Sequence, residues 1–254
     1  SEICQRISLS HHGPRLDFAT TIHWDERHTM LKVAFPVDVL SPVATHEIQW
    51  GNVQRPTHRN TSWDWARFET CAHKWVDVSE GDYGVALLND SKYGHDALDN
   101  MISLTLLKSA MGPDENADQG RHEFVYALLP HTGNFSVKTV VREGYALNSP
   151  IAALPISGST GRKTTTSLCT VSNPNVVIEA VKKSEQDDGV VIRLYEAGRT
   201  RGPVEVRFGT SVKRAVECNL LEEEIADAEF GGNLISFNIK PFEIKTFKVT
   251  LEPG

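Results

Sequence analysis

The chain has 254 residues, enough for one large β domain or for a large one followed by a small one. Hydrophobic residues at 40% and charged residues at 23% are ordinary for a soluble globular protein and exclude disordered, collagen-like and membrane classes. The formal charge of −7, with Lys and Arg scattered, lacks the basic footprint of a nucleic-acid binder, and no apolar run approaches the roughly 18 residues that a membrane helix needs.

The opening segment, Ser1 to Leu9, alternates Ile3, Gln5, Ile7 and Leu9 with Cys4, Arg6 and Ser8, the period of two that marks a strand. It has neither the charged start nor the continuous apolar centre of a signal peptide, so the chain is expected to open inside a fold. Further strands are expected at Leu31 to Phe35, His46 to Trp50, Gly84 to Leu88, Ile102 to Leu107 and Phe124 to Leu129, from their length and their β-branched or aromatic content. No window carries a long apolar stripe at helical spacing, and helix is expected to be scarce. Lys108 to Arg121, with Gly112-Pro113-Asp114 and Asp118-Gln119-Gly120, is too rich in breakers for a helix and reads as a long loop.

Composition turns to polar linker between Ser149 and Thr166, which holds Pro150, Pro155, Gly158 and Gly161. This places the expected domains at residues 1–158 and 159–254. In the second, Val176 to Lys182 and Gly189 to Tyr195 flank a turn with Asp187, Asp188 and Gly189, a hairpin signal. Val204 to Phe208, Leu234 to Ile239 and Ile244 to Leu251 supply further short strands, as in a small sandwich.

Cys4, Cys71, Cys169 and Cys218 are far apart, without the paired spacing of a zinc or redox motif, and read as reduced thiols. His23 and Asp25 share one face of a strand, yet two ligands do not close a metal site. Asp114, Asp118 and Glu123 read as solvated acids of a loop, and His131 as a hydrogen-bonded structural residue.

The run from Gln54 to Glu69 stands apart, because Arg55, Arg59, Arg67, Asn60, Asp64, Trp63 and Trp65 crowd into it. Amphipathic aromatics beside planar donors and carboxylates suit a sugar-facing surface. On physical grounds alone the plainer reading, a loop pinned by Trp packing and Arg to Asp pairs, is the stronger one.

At this run the sequence resembles the cytosolic branch of the glycoside hydrolase family 38 α-mannosidases. The resemblance covers nearly the whole chain. It is carried by Arg15-Leu16-Asp17-Phe18, His23-Trp24-Asp25-Glu26-Arg27-His28, the block from Arg55 to Glu69, Ala86-Leu87-Leu88-Asn89-Asp90-Ser91-Lys92-Tyr93-Gly94, Gly120-Arg121-His122-Glu123-Phe124 and Leu129-Pro130-His131. Arg193-Leu194-Tyr195-Glu196 and Pro241-Phe242-Glu243-Ile244-Lys245-Thr246 extend it to the C-terminal end.

The resemblance implies an all-β chain: a large antiparallel β super-sandwich of the galactose-mutarotase-like kind, begun mid-fold, and then a small β-sandwich. It implies the non-catalytic C-terminal β region of a retaining enzyme that removes terminal α-linked mannose through two carboxyl groups. The nucleophile, and a zinc or similar divalent ion that binds the sugar, belong by this resemblance to a missing N-terminal catalytic domain. No catalytic or metal residue is expected in this chain, which should be inactive alone. The implied partners are that domain and an α-mannoside or oligosaccharide substrate. No nucleic acid or membrane is implied; homo-oligomer assembly is left open, and the location is cytoplasmic.

Within the chain, Arg55, Trp63, Lys92 and Tyr93 are the candidates for substrate-side or interface contacts. Two other classes stay open. A free-standing carbohydrate-binding module would bind sugar by itself, whereas a ligand-free interaction domain would show a broad apolar face instead.

Overall fold

The computed structural model describes residues 1–11, 13–155 and 165–252. They form two compact units, Ser1–Pro150 and Ile151–Gly254. The boundary expected between residues 158 and 159 lies outside the described residues.

In the first unit the elements run β1 (Glu2–Leu9), β2 (Leu16–Trp24), β3 (Met30–Pro36), β4 (Val43–Ile48), β5 (Gly51–Pro56), α1 (Ser62–Ala66), β6 (Thr70–Cys71) and β7 (Trp75–Ser79). They continue with β8 (Tyr83–Asn89), β9 (Gly94–Leu98), β10 (Met101–Lys108), β11 (Gly120–Thr132) and, after a π-helical turn at Val137–Val141, α2 (Arg142–Asn148). A seven-stranded sheet has the order β1-β2-β11-β8-β7-β4-β5, and a four-stranded sheet the order β3-β10-β9-β6. Among the described residues the strands pair antiparallel, as Phe124↔Thr20 and Ile102↔Phe35 illustrate. Phe18, Ile22 and Trp24 from one sheet and Ile102, Leu104 and Leu106 from the other share a single buried cluster, so the two sheets face each other as a sandwich.

The strand expected at His46 to Trp50 is instead a hairpin. β4 ends at Ile48, and Gln49 and Trp50 form its two-residue turn, with Ile48 opposite Gly51. Trp50 takes a positive φ of 51°. Such turns are normally announced by Asn-Gly or Asp-Gly, and Gln-Trp gives no such notice. β1 alternates as expected and pairs with β2 along all eight residues, yet both of its faces are exposed.

Gly84 in β8 lies opposite both His131 and Ser79. A Cβ there would sit 2.5 Å from His131 Cε1 and 2.6 Å from Ser79 Oγ. Gly84→Ala is therefore expected to destabilise the first unit by about 1 to 3 kcal/mol through overpacking. Urea unfolding reads this, and an unchanged midpoint would contradict it.

The second unit comprises β12 (Cys169–Val171), β13 (Val176–Lys183), β14 (Val190–Glu196), β15 (Gly202–Phe208), β16 (Val212–Cys218), β17 (Glu224–Asp227), β18 (Glu229–Gly231), β19 (Leu234–Ile239) and β20 (Ile244–Leu251). A five-stranded sheet, β13-β14-β20-β16-β17, and a four-stranded one, β12-β15-β19-β18, enclose Ile192, Leu194, Val204, Val206, Ile235 and Phe247. The expected hairpin is β13–β14, closed by Asp187, whose Oδ1 accepts from the Gly189 N–H at 2.9 Å. Both units are thus antiparallel sandwiches, the first the larger.

Candidate functional site

Local chemistry fixes the run after β5 in two steps. Thr61 caps α1: its Oγ1 accepts from the Asp64 N–H at 3.2 Å, while Asp64 Oδ2 accepts from the Thr61 N–H at 3.0 Å. These reciprocal bonds satisfy donors that a short helix leaves open. The Thr61 hydroxyl, followed by its backbone, holds the Asp64 carboxyl below the usual carboxylate range. No residue of α1 is buried, so its aromatics point outward: Trp63 is 73% and Trp65 63% exposed, with Phe68 close behind.

Arg59 then ties the run to β9. Its Nη2 lies 3.4 Å from Asp96 Oδ1, and its guanidinium stacks over the Trp65 ring at 5.5 Å. Between these elements lies a small cleft, lined among others by His46, Arg55, Arg59, Arg67, Thr70 and Asp96. His46 comes from β4 and Thr70 from β6, with Thr70 Oγ1 3.5 Å from His46 Nδ1. Burial, reinforced by the positive charges of His95 and Arg55, lowers the His46 pKa to about 3. Burial likewise brings His95 to about 4 against the opposing pull of the Tyr93 carbonyl. Both imidazoles are neutral at pH 7, so neither adds to the positive charge of the guanidiniums. The Arg55 Nε is buried without any hydrogen-bond partner.

Of the four residues singled out from sequence, only Arg55 lines this cleft. Trp63 stands on the outer side of α1. Lys92 sits in the turn after β8, where its N–H donates to Asn89 Oδ1 at 2.6 Å and its ammonium lies 4.4 Å over the Phe124 ring. Burial lowers its pKa, only partly offset by Asp118 and Asp90. Tyr93 is exposed and meets His73 edge-on at 5.5 Å. His46 and Asp96, which complete the cleft, have no sequence signal, because strand pairing brings them in from far along the chain.

The other sequence candidates have local partners. Asp114 Oδ1 accepts from the Asn116 N–H at 2.9 Å, Asp118 Oδ2 from the Lys108 N–H at 3.0 Å, and Glu123 pairs with Arg121. His131 is buried, with Nε2 2.7 Å from Asp77 Oδ2. His23 is exposed on β2, and Asp25 donates its backbone N–H to Ser1 Oγ at 2.8 Å. Among the described residues no group of three or more His, Cys, Asp or Glu is placed to hold a metal ion, so the zinc implied by the resemblance has no fitting ligand set here. No described helix is long and apolar enough to cross a membrane.

Residues 1–116 match the glycosyl hydrolases family 38 C-terminal domain, and residues 175–247 match the glycosyl hydrolases family 38 C-terminal beta sandwich domain. The chain is 43% identical over 257 residues to alpha-mannosidase 2C1 of Mus musculus, covering 99% of this chain and 25% of that protein. It is 38% identical over 251 residues to alpha-mannosidase G of Dictyostelium discoideum, covering 96% and 23% respectively. It thus spans about a quarter of the length of the curated relatives it matches. The crystal structure of an alpha-mannosidase from Enterococcus faecalis V583 superposes with a TM-score of 0.81 at 22% identity, over 97% of this chain and 28% of that one, a likeness of fold.

Proposed function

The chain belongs to glycosyl hydrolase family 38, as the C-terminal β region of its α-mannosidases, and from that premise we propose that it serves a parent enzyme that hydrolyses terminal α-linked mannose with retention of configuration. The observation that carries this reading is the end-to-end match, at 43% identity, to a quarter of an alpha-mannosidase. Retaining hydrolysis needs a nucleophilic carboxylate and an acid/base carboxyl about 5 Å apart across the scissile bond. The acids singled out in this chain are instead spent on loop and surface contacts, which supports placing the catalytic pair, and the metal that binds the sugar, in the remainder of the parent. The chain's share of the work is support and positioning.

Arg55 and Trp63 are the residues through which the chain reaches a substrate or the catalytic region. Trp63 offers an exposed amphipathic ring, and Arg55 a cation fixed in a cleft. Lys92, drawn onto Phe124, anchors its turn, and leaves Tyr93 as the exposed group there. A cytoplasmic location accords with four unpaired cysteines.

Hydrolysis of a chromogenic α-mannoside, by this chain and by the full-length parent, each with and without added zinc, tests the reading. Turnover by the parent alone is expected. Turnover by the isolated chain would place a complete active site within these residues and overturn it. Binding of free mannose or oligosaccharide by the inactive chain would point instead to a carbohydrate-binding module.

A further inference from the structure

The cleft beside α1 holds more cationic than anionic capacity. Arg55, Arg59 and Arg67 line it together with two carboxylates, Asp64 and Asp96. Both carboxylates are already engaged. Asp96 takes Arg59, and Asp64 Oδ2 accepts from the Thr61 N–H at 3.0 Å and the Thr61 hydroxyl at 2.8 Å. Among the described residues, neither Arg55 nor Arg67 has a side-chain hydrogen bond or an ion pair.

Their environments differ in an informative way. Arg67 is exposed to solvent. Arg55 is partly buried, and its Nε is shut off from solvent with no acceptor, beside an imidazole that must stay neutral. A partly desolvated cation without a counter-charge is unfavourable unless an anion completes it. Asp64 and Asp96 share the cleft, yet among the described residues no acidic side chain forms an ion pair with Arg55.

We infer that this cleft is an oxyanion site: a carboxylate or phosphate group enters it and is held by Arg55 and Arg67, with the His46 ring and the Thr70 hydroxyl at its side. Planar guanidiniums match the oxygens of either group. The inference rests on the proposal that Arg55 meets a group from outside this chain, and it names the chemistry of that group. Two sources supply it, a free small anion or a polypeptide carboxylate of the parent.

Titration of the 254-residue chain with inorganic phosphate, followed by NMR of the arginine Nε resonances, is the test. Saturable shifts at Arg55 and Arg67 are expected, with binding weakened roughly tenfold or more by Arg67→Gln, a surface change that leaves the fold intact. Arg55→Gln should abolish it, and Arg55→Lys, which keeps the charge but not the planar donor set, should restore part. Absence of saturable binding, or binding indifferent to Arg55→Gln and Arg67→Gln, overturns the inference. If phosphate also binds the full-length parent, the ligand is a free anion; binding by the chain but not by the parent assigns the site to a polypeptide carboxylate. Mannoside turnover by an Arg55→Gln parent separates the two proposals. Unchanged turnover with phosphate binding in place removes the positioning role and keeps the oxyanion site, while altered turnover without phosphate binding does the reverse.

Discussion

Asp77→Ala is expected to destabilise the first unit by about 3 to 5 kcal/mol, read as a fall in its urea or thermal midpoint. Asp77 and His131 are both almost wholly enclosed, at 1% and 3% side-chain exposure, and meet at 2.7 Å. Ser79 donates its hydroxyl to the second carboxylate oxygen at 2.5 Å, and the absence of a side chain at Gly84 lets the three groups close together. Removal of the carboxylate leaves a buried imidazole and a partly buried hydroxyl without their acceptor, and that loss exceeds whatever net gain the intact pair gives.

The same pair sets a pH dependence. Burial alone would lower the His131 pKa, but the hydrogen bond and charge of Asp77, with the Thr132 carbonyl, outweigh it and the net shift is upward. A raised folded-state pKa gives stability that is fully present below the unfolded value of about 6.5 and is lost as pH rises through the folded value. His46 and His95 act in the opposite sense. Kept neutral by burial, they withdraw stability as pH falls from about 6.5 toward 4 and 3. Asp77→Asn should therefore remove the loss of stability on the alkaline side and leave the acid side as it was. An alkaline slope shared by wild type and Asp77→Asn would show that the pair is not its source.

The strands with strong β-branched and apolar runs were legible in the sequence, because burial on one or both faces leaves that pattern whatever the tertiary partners. β10 and β11 were anticipated within a few residues at each end, and β13–β14 was visible from its turn. The short edge elements β6, β17 and β18 were not, since two to four residues at a rim carry no period. The helical segment from Val137 to Asn148 is the more instructive miss. Val137, Val140, Val141 and Gly144 are its buried positions, a spacing of three and four that is helical. Its β-branched content masks that signal, and tertiary contacts hold it instead: Arg15 donates to Glu143 Oε2 at 2.9 Å, and Asn148 Nδ2 donates to the Asn89 carbonyl at 2.9 Å. The site was legible by half. The crowding of Arg and Trp marked the segment that forms one side of the cleft, whereas the groups on its other side arrive from β4, β6 and β9 by strand pairing, which no local pattern encodes.

In the second unit the largest single effect is expected at Glu196, where Glu196→Ala should lower stability by about 3 kcal/mol or more. The side chain is fully buried, and its carboxylate collects three donors: the Gly198 N–H and the Thr200 hydroxyl on Oε1, each at 2.8 Å, and the Phe242 N–H on Oε2 at 3.1 Å. Phe242 adopts a positive φ of 58°, and Arg199 one of 59°. One carboxylate thus fastens two turns whose backbones are individually unfavourable for those residues. Truncation to alanine strands all three donors. Glu196→Gln keeps one acceptor oxygen but turns an amide NH2 toward a donor, and should cost about half as much. Amide exchange at Gly198 and Phe242 should accelerate in both variants; unchanged exchange in Glu196→Ala would mean that the turns hold themselves. The blocks around Glu196 and Phe242 carry the family resemblance at two places far apart in the chain, and the carboxylate that Glu196 extends to both turns gives a physical reason for them to occur together.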